Sequence, residues 1–254
     1  MFLPYLIIYV FLFIVGLCVG SFCNVLVYRI PNKLDFVKGR SFCPACRHTL
    51  AARDLVPVFS WLFLGGKCRY CGARISPRYC FVELAGGVIA VCCALRFSLS
   101  WAAVTVFCAC MLLLTISLID ADTQEMPDGL TVALALVAVA SVWLMPGETL
   151  VSRLIGMACV SVPMLLLDLV IPTSFGGGDI KLMAAAGFLL GWQSTLLAFF
   201  IGLVAGGAYG IRLLARKEKG RKDHFAFGPF LAAGIAISLF FGAQIIGWYV
   251  GLLR

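Results

Sequence analysis

Charge is scarce in this 254-residue chain: it holds twelve Asp and Glu and twenty Lys and Arg, 13% of its residues, against 62% hydrophobic side chains and a mean hydropathy of +1.04. So little polar surface excludes a soluble globular protein. From Met1 to Tyr28 no side chain is charged, so the run lacks the basic start of a cleaved signal peptide and reads as a retained transmembrane helix. The net charge of +8 comes without an aromatic-interleaved basic surface, so no nucleic-acid partner is expected.

What remains is a succession of apolar runs. After the first come Tyr79 to Leu95, Phe97 to Ile119, Leu130 to Met145, Leu154 to Ile171, Leu182 to Leu214 and Phe225 to Leu253. As one helix, Leu182 to Leu214 would measure ~50 Å against a hydrocarbon core of ~30 Å, so it should fold back near Gly191 to Ser194. The chain is therefore expected to be an all-α polytopic membrane protein of about eight transmembrane helices. Ten of the Lys and Arg fall between Arg29 and Arg78 and six between Arg212 and Lys222. The positive-inside rule makes both segments cytoplasmic. Eight spans satisfy this with both termini outside, whereas seven would strand the second cluster.

The segment 29–78, between helices one and two, is the one soluble module. It carries "CPAC" at Cys43 to Cys46 and "CRYC" at Cys68 to Cys71, 21 residues apart. Two such pairs resemble a zinc ribbon, in which Cys43, Cys46, Cys68 and Cys71 give four thiolates to one structural ion. A module of this size is too small to be held by core burial alone. The alternatives are two disulfides or four inert thiols, and a reducing cytoplasmic face disfavours the disulfides.

The acids can be weighed singly. Asp35, Asp54, Glu148, Glu218 and Asp223 belong to solvated segments. Glu83 and Asp168 lie in or at the edge of spans, where an ionisable group is costly and serves either structural pairing or a site. "DADTQEMPD" places Asp120, Asp122, Glu125 and Asp128 at the cytoplasmic end of span three, and "FGGGD" places Asp179 at the cytoplasmic start of span six. Gly176, Gly177 and Gly178 are expected to adopt positive φ and admit a close backbone, with Asp179 capping the helix; a plain glycine turn is the alternative. Two carboxylates sharing a site can divide labour, one taking a proton from water and one polarising a carbonyl. Helix ends favour Asp179 as the more readily ionised partner.

These residues carry a resemblance. "GSFCNVLVYRIP" (Gly20 to Pro31), the two CxxC pairs, Pro57 to Tyr79, "IDADTQEMPD" (Ile119 to Asp128) and "FGGGDIKLMAA" (Phe175 to Ala185) occur in an order that resembles the type IV prepilin peptidases, membrane aspartic proteases of the GxGD type. The resemblance implies cleavage, on the cytoplasmic face of the bacterial inner membrane, of the basic leader of prepilins and of the pseudopilins of type II secretion. It places the catalytic aspartates at Asp120 and Asp179, with Gly176, Gly177, Gly178 and Lys181 shaping the loop. It further implies methylation of the new amino terminus with S-adenosylmethionine, although no glycine-rich dinucleotide-type loop is present. The domains are then a first transmembrane helix (1–28), a zinc-binding module (29–78) and a seven-helix protease domain (79–254) in a lipid bilayer. Leu55 and Cys80 depart from the family pattern, which has asparagine and proline there. A transporter with a zinc-ribbon domain, or a non-enzymatic pilus or secretion assembly factor, are the competing readings.

Overall fold

The computed structural model describes residues 2–172, 174–215 and 226–252; Arg216 to Lys222, with Glu218, and Asp223 lie outside them. Among the described residues ten α-helices follow in order: α1 (Phe2–Arg29), α2 (Phe59–Phe63), α3 (Arg78–Phe97), α4 (Trp101–Thr123), α5 (Asp128–Leu144), α6 (Leu150–Cys159), α7 (Ser161–Val170), α8 (Gly177–Leu190), α9 (Trp192–Ala215) and α10 (Gly228–Leu252). Among the described residues the only β pairing is two isolated bridges. Six helical stretches among the described residues are long and apolar enough to cross a membrane: Pro4–Arg29, Arg78–Phe97, Trp101–Thr123, Leu150–Val170, Trp192–Leu213 and Gly228–Leu252. The shorter α5 and α8 occupy the positions expected for spans four and six. The long apolar run does fold back, at Gly191, whose φ of 75° ends α8 and lets α9 start at once.

Contacts divide the chain into two compact units, Met1–Ala103 and Val104–Arg254. In the first, α3 packs along α1 through glycines on both helices. A β-carbon on Gly16 would strike the Gly86 carbonyl, and one on Gly20 would lie 2.8 Å from the Glu83 Cα. Small residues four apart on α1 thus bring two backbones together, as membrane helix pairs require. Gly20→Leu should force the helices apart at a cost of about 1–3 kcal/mol. Thermal unfolding in detergent, followed by tryptophan fluorescence, should show the lowered midpoint.

In the second unit α8 is the central rod, packed by α5, α6, α7, α9 and α10. Leu182, Met183 and Ala186 on it are fully buried. Its crossing with α6 again uses glycine against glycine, Gly156 on Gly187. Pro163 cannot donate a hydrogen bond and crowds the carbonyl a turn earlier, so the span from Leu150 to Val170 breaks between α6 and α7 at Val160. Near this unit's α8–α9 turn, Arg153 of α6 is 1% exposed. Its guanidinium donates to the Ser141 hydroxyl at 2.6 Å and to the carbonyls of Ser141, Met145, Phe188 and Leu189 at 3.1–3.4 Å. A cation therefore closes the carboxyl-terminal ends of both α5 and α8, where partial negative charge collects.

Candidate active site and metal centre

α4 ends because Gln124 turns left-handed (φ 57°), its N–H returning to the Asp120 carbonyl at 2.8 Å, while the Thr123 hydroxyl bonds the Ile119 carbonyl. This leaves Asp120 in the last turn, 5% exposed, whereas Asp122 is exposed. Pro127 then opens α5, with Asp128 in its first turn. The Asp128 carboxylate meets the Lys181 ammonium of α8 at 2.6 Å on the surface. Asp168 at the end of α7 accepts the Phe175 N–H at 3.5 Å, tethering the chain that leads into the glycines.

The glycines behave differently from the expectation. None of Gly176, Gly177 and Gly178 has positive φ; Gly176 is the N-cap at φ −69° and the helix starts at Gly177. Asp179 is consequently the third helical residue and does not cap, since three glycines let the helix begin before the acid is reached. What Gly178 supplies is room: a β-carbon there would stand 2.7 Å from the Met126 Cβ. One at Gly176 would stand 3.0 Å from Asp179 Oδ2, whereas one at Gly177 would meet open space.

Asp179 is 8% exposed, and among the described residues its Oδ1 has no hydrogen-bond partner. The Asp120 carboxylate is near enough to act on it electrostatically. Sequence reasoning missed the third participant, Gly228, whose backbone N–H donates to Asp120 Oδ2 at 2.9 Å. The amino terminus of α10 is thus aimed at Asp120, so in space both acids sit at positive helix ends. A β-carbon on Gly228 would strike the Met126 methyl and lie 2.6 Å from Asp120 Oδ2. Met126 is therefore wedged between the two glycines that flank the acids, with the Phe175 and Phe227 rings 6.4 Å apart beside them.

In the first unit the two cysteine knuckles are built alike at an offset of 25 residues. Cys43 and Cys68 donate N–H to the His48 and Ala73 carbonyls, and their carbonyls accept from Arg47 and Gly72, both left-handed. The bridges Phe42 to Thr49 and Lys67 to Arg74 repeat the pattern. All four sulfurs lie within 4.8 Å of one another, with Cys43 and Cys71 Sγ at 3.9 Å. Thiolates ~2.3 Å from a tetrahedral zinc stand ~3.8 Å apart, so the donor set fits that ion. Beside the knuckles Asp54 binds Arg69 at 2.6 Å and the Tyr70 hydroxyl at 3.0 Å, and the Arg69 guanidinium holds its carboxyl below the usual carboxylate range.

The same unit contains a cavity of about 430 Å³ whose walls include Asn24, Tyr28, Leu55, Trp61, Cys80 and Glu83. Glu83 accepts the Val58 N–H at 2.7 Å, and Asn24 donates to the Tyr79 carbonyl at 3.0 Å.

Residues 14–97 match the bacterial Peptidase A24 N-terminal domain, and residues 105–211 match the type IV leader peptidase family. Three relatives are named prepilin leader peptidase/N-methyltransferase. That of Bacillus subtilis (strain 168) is 31% identical over 239 residues, 94% of this chain and 96% of the relative. That of Burkholderia pseudomallei is 34% identical over 264 residues, covering 91% and 85%. That of Aeromonas salmonicida is 29% identical over 271 residues, covering 95% and 93%. No solved structure matches. With both halves of the chain matched in order and the relatives covered almost end to end, this all-helical, multi-pass chain belongs to the type IV leader peptidase family.

Proposed function

We propose that the chain is an aspartic endopeptidase of the bacterial inner membrane that removes the basic leader of type IV prepilins and pseudopilins on the cytoplasmic side. The observation that carries this is the meeting of Asp120 and Asp179, two buried acids from separate helices, with no cation bound to either among the described contacts. Buried carboxylates left without a cation are costly to maintain for structure alone.

The chemistry follows from their unequal surroundings. Asp120, bonded to the Gly228 N–H and facing the α10 amino terminus, carries the negative charge; Asp179, whose Oδ1 has no partner among the described residues, carries the proton. This reverses the assignment made from α4 and α8 alone. Asp120 takes a proton from water as the water oxygen bonds to the scissile carbonyl carbon, whose oxygen takes the proton of Asp179. The C–N bond then breaks as the leaving nitrogen gains a proton, and the two acids return to their starting states. Gly228→Ala should push a methyl against Asp120 and Met126, lowering the cleavage rate more than tenfold while substrate affinity holds (about 2 kcal/mol of lost transition-state stabilisation). Single-turnover cleavage of a prepilin separates the two effects.

The cytoplasmic placement rests on the ten basic residues between Arg29 and Arg78. Exposed Asp122 and Glu125, close to Asp120 in the chain, suit a basic leader. The four cysteines hold one structural zinc. Elemental analysis should give about one zinc per chain, lost when Cys43 and Cys46, or Cys68 and Cys71, become serine, with protein abundance falling rather than the chemical step. Finding no stoichiometric metal in purified protein would remove this part.

The second activity proposed is methylation of the new amino terminus. S-adenosylmethionine supplies a methyl group on a sulfonium sulfur, and this chain's part is to bind that donor and exclude water. The decisive experiment for the peptidase is the size shift of precursor to mature pilin in membranes containing the purified chain.

A further inference from the structure

We propose that the cavity of the N-terminal unit is the seat of the methyl donor, with the Glu83 carboxylate facing the donor's sulfonium; this rests on the reading of the chain as an N-methyltransferase. At about 430 Å³ the cavity is within the ~300–1,000 Å³ of small-molecule and cofactor sites. Its walls match the parts of an S-adenosyl donor. Tyr28 and Trp61 offer aromatic surface for a purine, Arg74 suits an amino-acid carboxylate, the buried Arg29 braces the wall through the Asp35 and Arg40 carbonyls, and Asn24 and Glu83 lie on facing helices.

Glu83 is the telling residue. It is half-buried, in the second turn of α3, where a charge needs a reason. One N–H, that of Val58, occupies one of a carboxylate's roughly four acceptor positions. That bond also holds an unusual wall. Val58 stands at φ 64°, ψ −52°, and the Phe59 N–H bonds the Pro57 carbonyl at 2.6 Å, a three-residue turn that a β-branched residue rarely adopts. Val58 is nonetheless buried, packed with Leu17 and Cys80. Strain of this kind persists where the surroundings enforce it, and it marks functional walls more often than plain ones.

The charge logic fits turnover. The free amine attacks the methyl carbon, the N–C bond forms as the S–C bond breaks, sulfur keeps the electron pair, and the methylated ammonium loses a proton to water. The donor is a sulfonium cation and the product a neutral thioether, so a carboxylate beside the sulfur holds the first and releases the second.

The test uses the full-length protein in detergent, with S-adenosylmethionine and S-adenosylhomocysteine as probes. Calorimetry should show the sulfonium binding about tenfold tighter than the thioether, and Glu83→Gln should remove the difference. Ser21→Trp, which fills the cavity from α1, should weaken both. Ultraviolet crosslinking of labelled donor to the unaltered protein should land on peptides between residues 21 and 83. Crosslinks in Val104–Arg254, or wild-type donor affinity in both variants, overturns the assignment. A protein that cleaves precursor but binds neither probe overturns the methylation reading together with the cavity. One that neither cleaves nor binds overturns the peptidase reading as well.

Discussion

Asp120→Asn and Asp179→Asn should each leave prepilin uncleaved, with processing reduced by at least about 10³-fold, while the variants insert and accumulate like the parent. An amide has nearly the shape of a carboxyl group, so packing around α4 and α8 survives. It can neither accept the proton of water nor hand one to the carbonyl oxygen. Loss at either position should equal loss at both, because the two acids act as one unit. Asp122→Asn is the control: Asp122 is exposed where Asp120 is 5% exposed, and its loss should change leader affinity by no more than a few fold. Normal maturation in either single variant would return both acids to a structural role.

The largest effect on stability should come from Arg153→Met. Replacing a whole buried ion pair by apolar side chains is often neutral, since both desolvated partners leave together. Here the partners are four backbone carbonyls and the Ser141 hydroxyl, which stay behind. Hydrogen bonds from a charged donor contribute roughly 1.5–3 kcal/mol each and do not add, so a loss of about 3 kcal/mol or more is expected. The carboxyl-terminal ends of α5 and α8 would fray first. Arg153→Lys should fall between, since an ammonium cannot bond five acceptors across two helix ends at once. A methionine variant that unfolds at the parental temperature would show that the carbonyls are satisfied otherwise.

The two buried acids, Asp120 and Asp179, were legible as a pair because acids are rare in an apolar chain and each could be weighed. The all-helical class, the fold-back at Gly191 and the cysteine cluster were legible for the same reason: length, glycine and CxxC spacing are local facts. Gly228 was not legible. Its contribution is a backbone N–H, which every residue but proline owns, aimed by a helix start 108 positions after Asp120. Met126 was likewise just one apolar residue in an acidic loop, although its side chain explains Gly178 better than any turn does. Three consecutive glycines read as a loop, but α8 starts at Gly177 and runs regularly through two of them. Arg153 stood in plain view as a lone base in an apolar span, and no pattern indicated that two helix ends converge on it. The cavity beside Glu83 is assembled from side chains scattered over three segments, so no single stretch announces it.

Within each knuckle the two cysteines differ in access, and for the zinc proposed above this sets the order of events when metal is stripped. Cys43 and Cys68 are buried, whereas Cys46 and Cys71 are exposed. A chelator or an oxidant arriving from water therefore meets one sulfur from each knuckle first. Exchange should proceed through an intermediate in which the inner pair still grips the ion, so release should be slow and two-phased. Short exposure to a thiol-alkylating reagent should mark the outer cysteines long before the inner ones.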